Sequence, residues 1–383
     1  MPNKRKKLIL GIVTVVVLLL FLLFSVFYLG RNLIKSQAGT LTTDAVITSG
    51  WGIVSGWLFY AVLYGCPLMY GTIGEILTEK SGNLNLGVEG LMFMGGAFGL
   101  GGVFYYERAV NAAGGTANPW LALLIALFAS FAIGAFGALL FSFVTVTLRA
   151  NQNVAGLALT IFGTGAAQFF GEFMRVDVGG FVSLSKPLQD FFYQSPLPKF
   201  LQEIPVIGKL IFGYNIFVYL GIVIAVVLAW YLKRTRKGLY LRAVGESPAT
   251  ADAAGIRVTR NKYIATVLGG GISAIGGMVF ITTIAQCVWN HEGLSGVGWL
   301  AVALVIFCLW DTVSGIWASI LFGALIAMYN YYPLPFFTGA MTEFYKILPY
   351  VVTVVVLVLS SIRNNREKQP PASLGLSYFR EDR

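Results

Sequence analysis

Apolar runs long enough to cross a bilayer alternate along this chain with short polar connectors. Residues 8–30 carry no charge and follow Lys4, Arg5, Lys6 and Lys7, and a helix of that length covers the ~30 Å of bilayer hydrocarbon. The run exceeds the apolar core of a secretory leader and Tyr28-Leu29-Gly30-Arg31 is a poor cleavage site, so a retained first span is expected. Further apolar runs cover 51–77, 86–106, 118–148, 151–173, 211–232, 263–288, 299–310, a stretch ending near 332, and 347–362. The pattern predicts an all-α polytopic membrane protein of about ten transmembrane helices. It divides into a basic N-terminal segment with the first helix (1–30), a transmembrane body (31–362) and a tail (363–383).

Two interruptions are informative. In TEKSGNLNLGVEG the residues Ser81, Gly82, Asn83 and Asn85 break the apolar pattern. Irregular backbone at membrane depth survives only where protein or water satisfies it, so a broken helix near 79–90 lining a cavity is expected. The second interruption, 233–262, holds Lys233, Arg234, Arg236, Lys237, Arg242, Arg257, Arg260 and Lys262, which places it on the cytoplasmic side. Within it, 245–255 reads as one short helix: Glu246 and Ser247 near its start, Pro248 in the first turn, helix formers through Ala254, and Gly255 as a left-handed stop. The polar, proline-dotted stretch 174–209 falls outside by parity, and its length suggests function. Glycine-interrupted segments at 81–102 and 291–310 enter from opposite sides, the pattern of an inverted repeat.

Composition excludes the soluble classes. Apolar residues make up 57% of the chain and charged residues 11%, with a mean hydropathy of +0.75, too little charge to clothe a soluble surface. The net charge of +10 does not mark a nucleic-acid binder, because the basic residues cluster at the ends of apolar runs. Most of the 27 Lys and Arg fall on the inner side when ten spans put both termini inside. Cys66, Cys287 and Cys308 lie in apolar stretches without ligand spacing and read as buried small hydrophobes. Gly269-Gly270-Gly271 and Gly276-Gly277 suit close helix packing in lipid.

Enzymatic chemistry finds no footing. GEILTEKS puts Glu79 where a phosphate loop needs its second glycine, and His291, the sole histidine, makes neither a zinc pair nor a catalytic triad. No cofactor is implied. An ion-coupled carrier needs ionisable groups at mid-membrane, and the best candidate is Glu89, followed by Glu172 and Asp311. Glu89 sits in the first turns of the third span, where a helix N-terminus stabilises its charge, as a cap-like acid holding the broken helix.

Glu79-Lys80-Ser81-Gly82 with Asn85-Leu86-Gly87-Val88-Glu89-Gly90, and Gly245-Glu246-Ser247-Pro248 with Ala253-Ala254-Gly255, resemble the permeases of ABC importers in the branch serving simple sugars, branched-chain amino acids and nucleosides. With IPVIGKLIFG and the ending SLGLSYFRE, the resemblance runs closest to nucleoside importers. It implies a bacterial plasma-membrane subunit forming half of the translocation path, with a second related permease, a cytoplasmic ATPase and an extracellular substrate-binding lipoprotein as partners and a nucleoside as substrate. It gives Gly245, Glu246, Ser247, Pro248, Ala253, Ala254 and Gly255 the role of coupling to the ATPase, and the external stretch that of meeting the lipoprotein. Candidate path-lining groups are Asn83, Asn85, Glu89, Asn151, Gln152 and Asn153, polar groups able to hydrogen-bond a sugar or base, or else to bond between helices. Sugar or branched-chain amino acid permeases and an ion-coupled secondary transporter stay open as alternatives.

Overall fold

A computed structural model describes residues 50–202, 204, 207–331, 347, 350–352, 354 and 369–379. The first expected span, 8–30, and most of the last, 347–362, lie outside the described residues, as does 363–368. The other expected spans are helices. In chain order these are α1 (Gly50–Glu79), α2 (Val88–Ala112), α3 (Pro119–Ser142) prolonged by the π-helical turn Phe143–Thr147, and α4 (Gln152–Val178). Short helices α5 (Lys186–Tyr193), α6 (Lys199–Gln202) and α7 (Ile207–Phe212) then occupy the proline-dotted stretch. The chain continues with α8 (Ile216–Arg234), α9 (Arg236–Glu246), α10 (Pro248–Ala253) and α11 (Val258–Val279), the last prolonged by the π-helical turn Phe280–Ile284, and then α12 (Val297–Phe307) and α13 (Thr312–Tyr331). By length and composition, five described helices suffice to cross a membrane: α2, α3 with its π turn, α4, α8, and α11 with its π turn; α12 and α13 are shorter apolar helices.

Local chemistry sets several starts. Asn118 accepts from the amides of Trp120 and Leu121, ahead of Pro119 at the first helical position of α3. Asn151 does the same for α4 through Asn153 and Val154, and Asn215 for α8 through Val218. Each supplies an oxygen to amides that have no partner inside the helix.

Burial separates interior from rim. The apolar windows of α2 and α11 are 83% and 78% buried, against 33%, 28% and 33% for α3, α4 and α8, so the first two form the centre together with α1, buried almost throughout 61–79, and the last three face outward along most of their length. The centre is this tight because α2 and α11 cross backbone to backbone. A Cβ at Gly95 would strike the Ala274 backbone, and one at Gly277 the carbonyl of Met92. In lipid such contact replaces the hydrophobic effect as the cohesive force.

The two ends of the bundle differ. One gathers Lys80, Arg149, Gly245 and Asp311, where Lys233 pairs with Asp311 at 2.5 Å. Burial opposes ionisation of Asp311, but the Lys233 ammonium and the Ser314 amide and hydroxyl outweigh it and hold the carboxyl below its usual range. At the far end, Trp289 donates its amide to Val182 at 3.0 Å and Ser185 to the Glu107 carboxylate at 3.2 Å. A cleft of about 610 Å³ opens there between Glu107, Arg108, Asn111, Asp177 and Ser185, with Arg108 and Asp177 paired across it.

Candidate functional site

The expected break is present. α1 ends at Glu79, α2 starts at Val88, and the residues between are neither helix nor strand. Their backbone is satisfied by side chains: the Leu84 amide donates to Gln152 at 2.7 Å, that of Asn85 to Glu75 at 3.0 Å, and that of Gly87 to Asn85 at 2.9 Å. This is how irregular chain persists where water is scarce.

Glu89, 5% exposed, looks away from this break toward a second helix end. Its two carboxylate oxygens accept the amides of Gly296 and Gly298 at 2.6 Å and of Trp299 at 3.1 Å. These are the unpaired amides at the N-terminus of α12, where a negative charge is most favourable. Sequence reasoning places a helix N-terminus around Glu89; that the amides belong to a helix over 200 positions later is a tertiary fact. The starts of the two interrupted segments are thus joined by one carboxylate.

Around the break lie Asn83, Asn85 and Gln152, all buried. Asn83 donates to Thr266 at 2.9 Å while its Oδ1 is unpaired, and the Nδ2 of Asn85 is unpaired as well. Asn151 and Asn153 do not join this group: both are exposed at the start of α4, Asn151 acting as its cap. Two residues outside the expected path-lining set belong here. Glu75 supports Asn85, and Glu79 accepts the indole N–H of Trp310. Their spacing of four, which puts both on one helix face, was the available signal.

The polar loop corrects one expectation. The stretch 245–255 is not a single helix: Gly245 and Glu246 end α9, Ser247 is extended (φ −150°, ψ 95°), and α10 starts at Pro248. The cause is local, since the ring of a proline crowds the preceding residue out of helical conformation. Ser247 instead caps α10 through the Thr250 amide at 3.4 Å. Gly245 is buried against Lys80, whereas Ala253, Ala254 and Gly255 stand exposed, Gly255 with φ +81°. Burial lowers the Lys80 ammonium below its usual range, an effect Glu246 counters and Arg242 reinforces. His291 is half-buried, its ring centre 4.8 Å from that of Phe93 and near Trp289; burial lowers its pKa.

A helical bundle whose buried centre holds interrupted helices joined at their N-termini is a multi-pass membrane protein of the transporter type. Over residues 57–357 the chain matches the family described as branched-chain amino acid transport system / permease component, and it belongs to that family. It is 31% identical over 301 residues to a guanosine ABC transporter permease of Bacillus subtilis, covering 77% of this chain and 89% of that one. A nucleoside ABC transporter permease of Lactococcus lactis is 31% identical over 301 residues, 78% and 90% of the two chains. A putative glucose ABC transporter permease of Haloferax volcanii is 30% identical over 346 residues, 85% and 98% of the two. No solved structure matches the chain.

Proposed function

We propose that this chain is the membrane subunit of an ATP-driven nucleoside importer, forming half of its translocation path and taking its stroke from a cytoplasmic ATPase. The observation that carries this reading is α10, a short capped helix exposed at Ala253 and Ala254, whose neighbour Gly245 is buried against the broken helix. A knob with one side free and the other rooted beside a candidate path is suited to receive a push. A second related permease and an extracellular binding lipoprotein complete the proposed assembly, with about ten spans and both termini inside. Asn83, Asn85, Glu89 and Gln152 line or support the path, with Asn151 and Asn153 at its inner rim. The guanosine and nucleoside permeases among the relatives favour a nucleoside; the glucose permease favours a sugar as second reading.

Uptake of labelled guanosine and of labelled glucose by cells with and without the chain separates the substrates. Replacing Glu246 with Arg, or Gly255 with Trp, abolishes uptake and releases the ATPase from membranes on the importer reading. Uptake that survives ATP depletion under an imposed ion gradient would transfer the protein to the ion-coupled carriers.

A further inference from the structure

Residues 371–379 lie across the basic end of the bundle and bond to several of its elements in turn. The Ser373 amide and hydroxyl both donate to the Gly245 carbonyl, at 3.0 and 2.5 Å. The Gly375 amide donates to the carbonyl of Gly82, inside the break between α1 and α2, at 3.2 Å. Gln152, which holds Leu84 of that break, also donates to the Leu376 carbonyl at 3.4 Å. Ser377 donates to the Arg149 carbonyl at 3.3 Å, and the Arg149 guanidinium lies 4.7 Å from the centre of the Phe379 ring. The Tyr378 hydroxyl donates to Asp252 of α10 at 2.9 Å, its ring packed with Val244, Ala251 and Val258.

A terminal segment serving only to cover apolar surface needs no such distribution of polar bonds. Here two of its residues grip the exposed short helix and the end of α9, while Gly375 grips the irregular stretch holding Asn83 and Asn85 directly and Leu376 reaches it through Gln152 of α4. Besides the strap, α10 is tied back to Gly245 through the chain at Ser247, extended between α9 and α10, and through the packing of Ala251 on Val244. Resting on the importer reading above, we infer that 371–379 is a coupling strap: Tyr378 and Ser373 are positioning residues that carry displacement of α10 to the broken helix between α1 and α2. Neither touches substrate. A strap of this kind sets how much transport each ATP turnover yields, and leaves the affinity of the ATPase for the membrane to the exposed face of α10.

The test uses the full chain in its native host and, reconstituted with its partners, in vesicles. Three variants are compared: Tyr378→Phe, which removes one hydroxyl; Gly375→Val, which puts a branched side chain at φ +79°; and a stop after Gln369. The measurements are chain amount in membranes, ATPase retained on it, ATP hydrolysed and nucleoside taken up. The strap predicts near-normal amount and retention, with uptake per ATP reduced about tenfold in the stop variant, within the span of ordinary coupling free energies. Tyr378→Phe and Gly375→Val fall between the stop variant and the native chain. Unchanged uptake per ATP overturns the inference. So does uptake that falls only in step with chain amount, which marks a purely structural segment, or loss of the ATPase from membranes, which marks a docking one. Where the stop variant does not accumulate, Tyr378→Phe decides between the same outcomes. Native-chain uptake indifferent to ATP removes the importer reading, and the strap with it, and is told apart by being seen without any mutation.

Discussion

Replacing Glu89 with Gln tests the carboxylate that joins α2 to α12, because the swap keeps volume and removes charge. In the native chain the carboxylate accepts three amides, two at 2.6 Å and one at 3.1 Å. A hydrogen bond to a charged group contributes about 1.5–3 kcal/mol and a neutral one about half as much. Glutamine keeps one acceptor oxygen and turns an NH₂ toward at least one amide, so one bond is lost outright and the others weaken. The sum is about 3 kcal/mol, or roughly a hundredfold in the local opening equilibrium. Hydrogen exchange followed by mass spectrometry on the detergent-purified chain reads this directly. Protection at Gly296, Gly298 and Trp299 is expected to fall roughly hundredfold in Glu89→Gln while the middle of α3 keeps its native rate. Unchanged protection at the three amides refutes the reasoning. Equal loss throughout the bundle refutes it too, because the carboxylate would then be holding the whole fold.

Three further outcomes are expected. A cysteine replacing exposed Ala254 should react with a membrane-impermeant maleimide only from the cytoplasmic side, over a low background since Cys66, Cys287 and Cys308 are buried; labelling from outside would invert the orientation. Gly277→Leu forces a branched side chain into the Met92 carbonyl and should cut the folded chain recovered in detergent severalfold, whereas Gly56→Leu, at a site with open space, should not. For Asp311, whose folded pKa lies below its ordinary 3.8, the stabilisation is present above that pH and is lost as pH falls through the folded value. Asp311→Asn should therefore melt lower than the native chain at pH 7, with the gap closing below about pH 4.

Much of this was written in the pattern of apolar runs. The run at 151–173 became α4 (Gln152–Val178) and that at 299–310 became α12 (Val297–Phe307), because a span must be both long and apolar and both properties are local. The break at Ser81 to Gly87 was legible for the same reason: asparagines and glycines at membrane depth have few uses. The short helix was misjudged by its first residues, since helix-forming composition was weighed above the crowding that Pro248 imposes on Ser247. Partners were not legible. Nothing near Glu89 points to Gly296, nothing near Gln152 points to Leu84, and nothing in SLGLSYF names Gly245 or Asp252, because each pairing is made by packing of distant elements. The π-helical turns ending α3 and α11 also escaped notice, as an extra residue per turn leaves little trace in hydropathy.

The crossing of α2 and α11 bears on how a push spends itself inside the bundle. Where Gly95 meets Ala274 and Gly277 meets Met92, no side chain lies between the two backbones to bend or change rotamer, so the joint has almost no slack. α11 begins at Val258, a few residues after the end of α10. On the importer reading proposed above, a shove on that knob would pass along α11 to the centre with little loss, where a leucine-cushioned contact would absorb part of it.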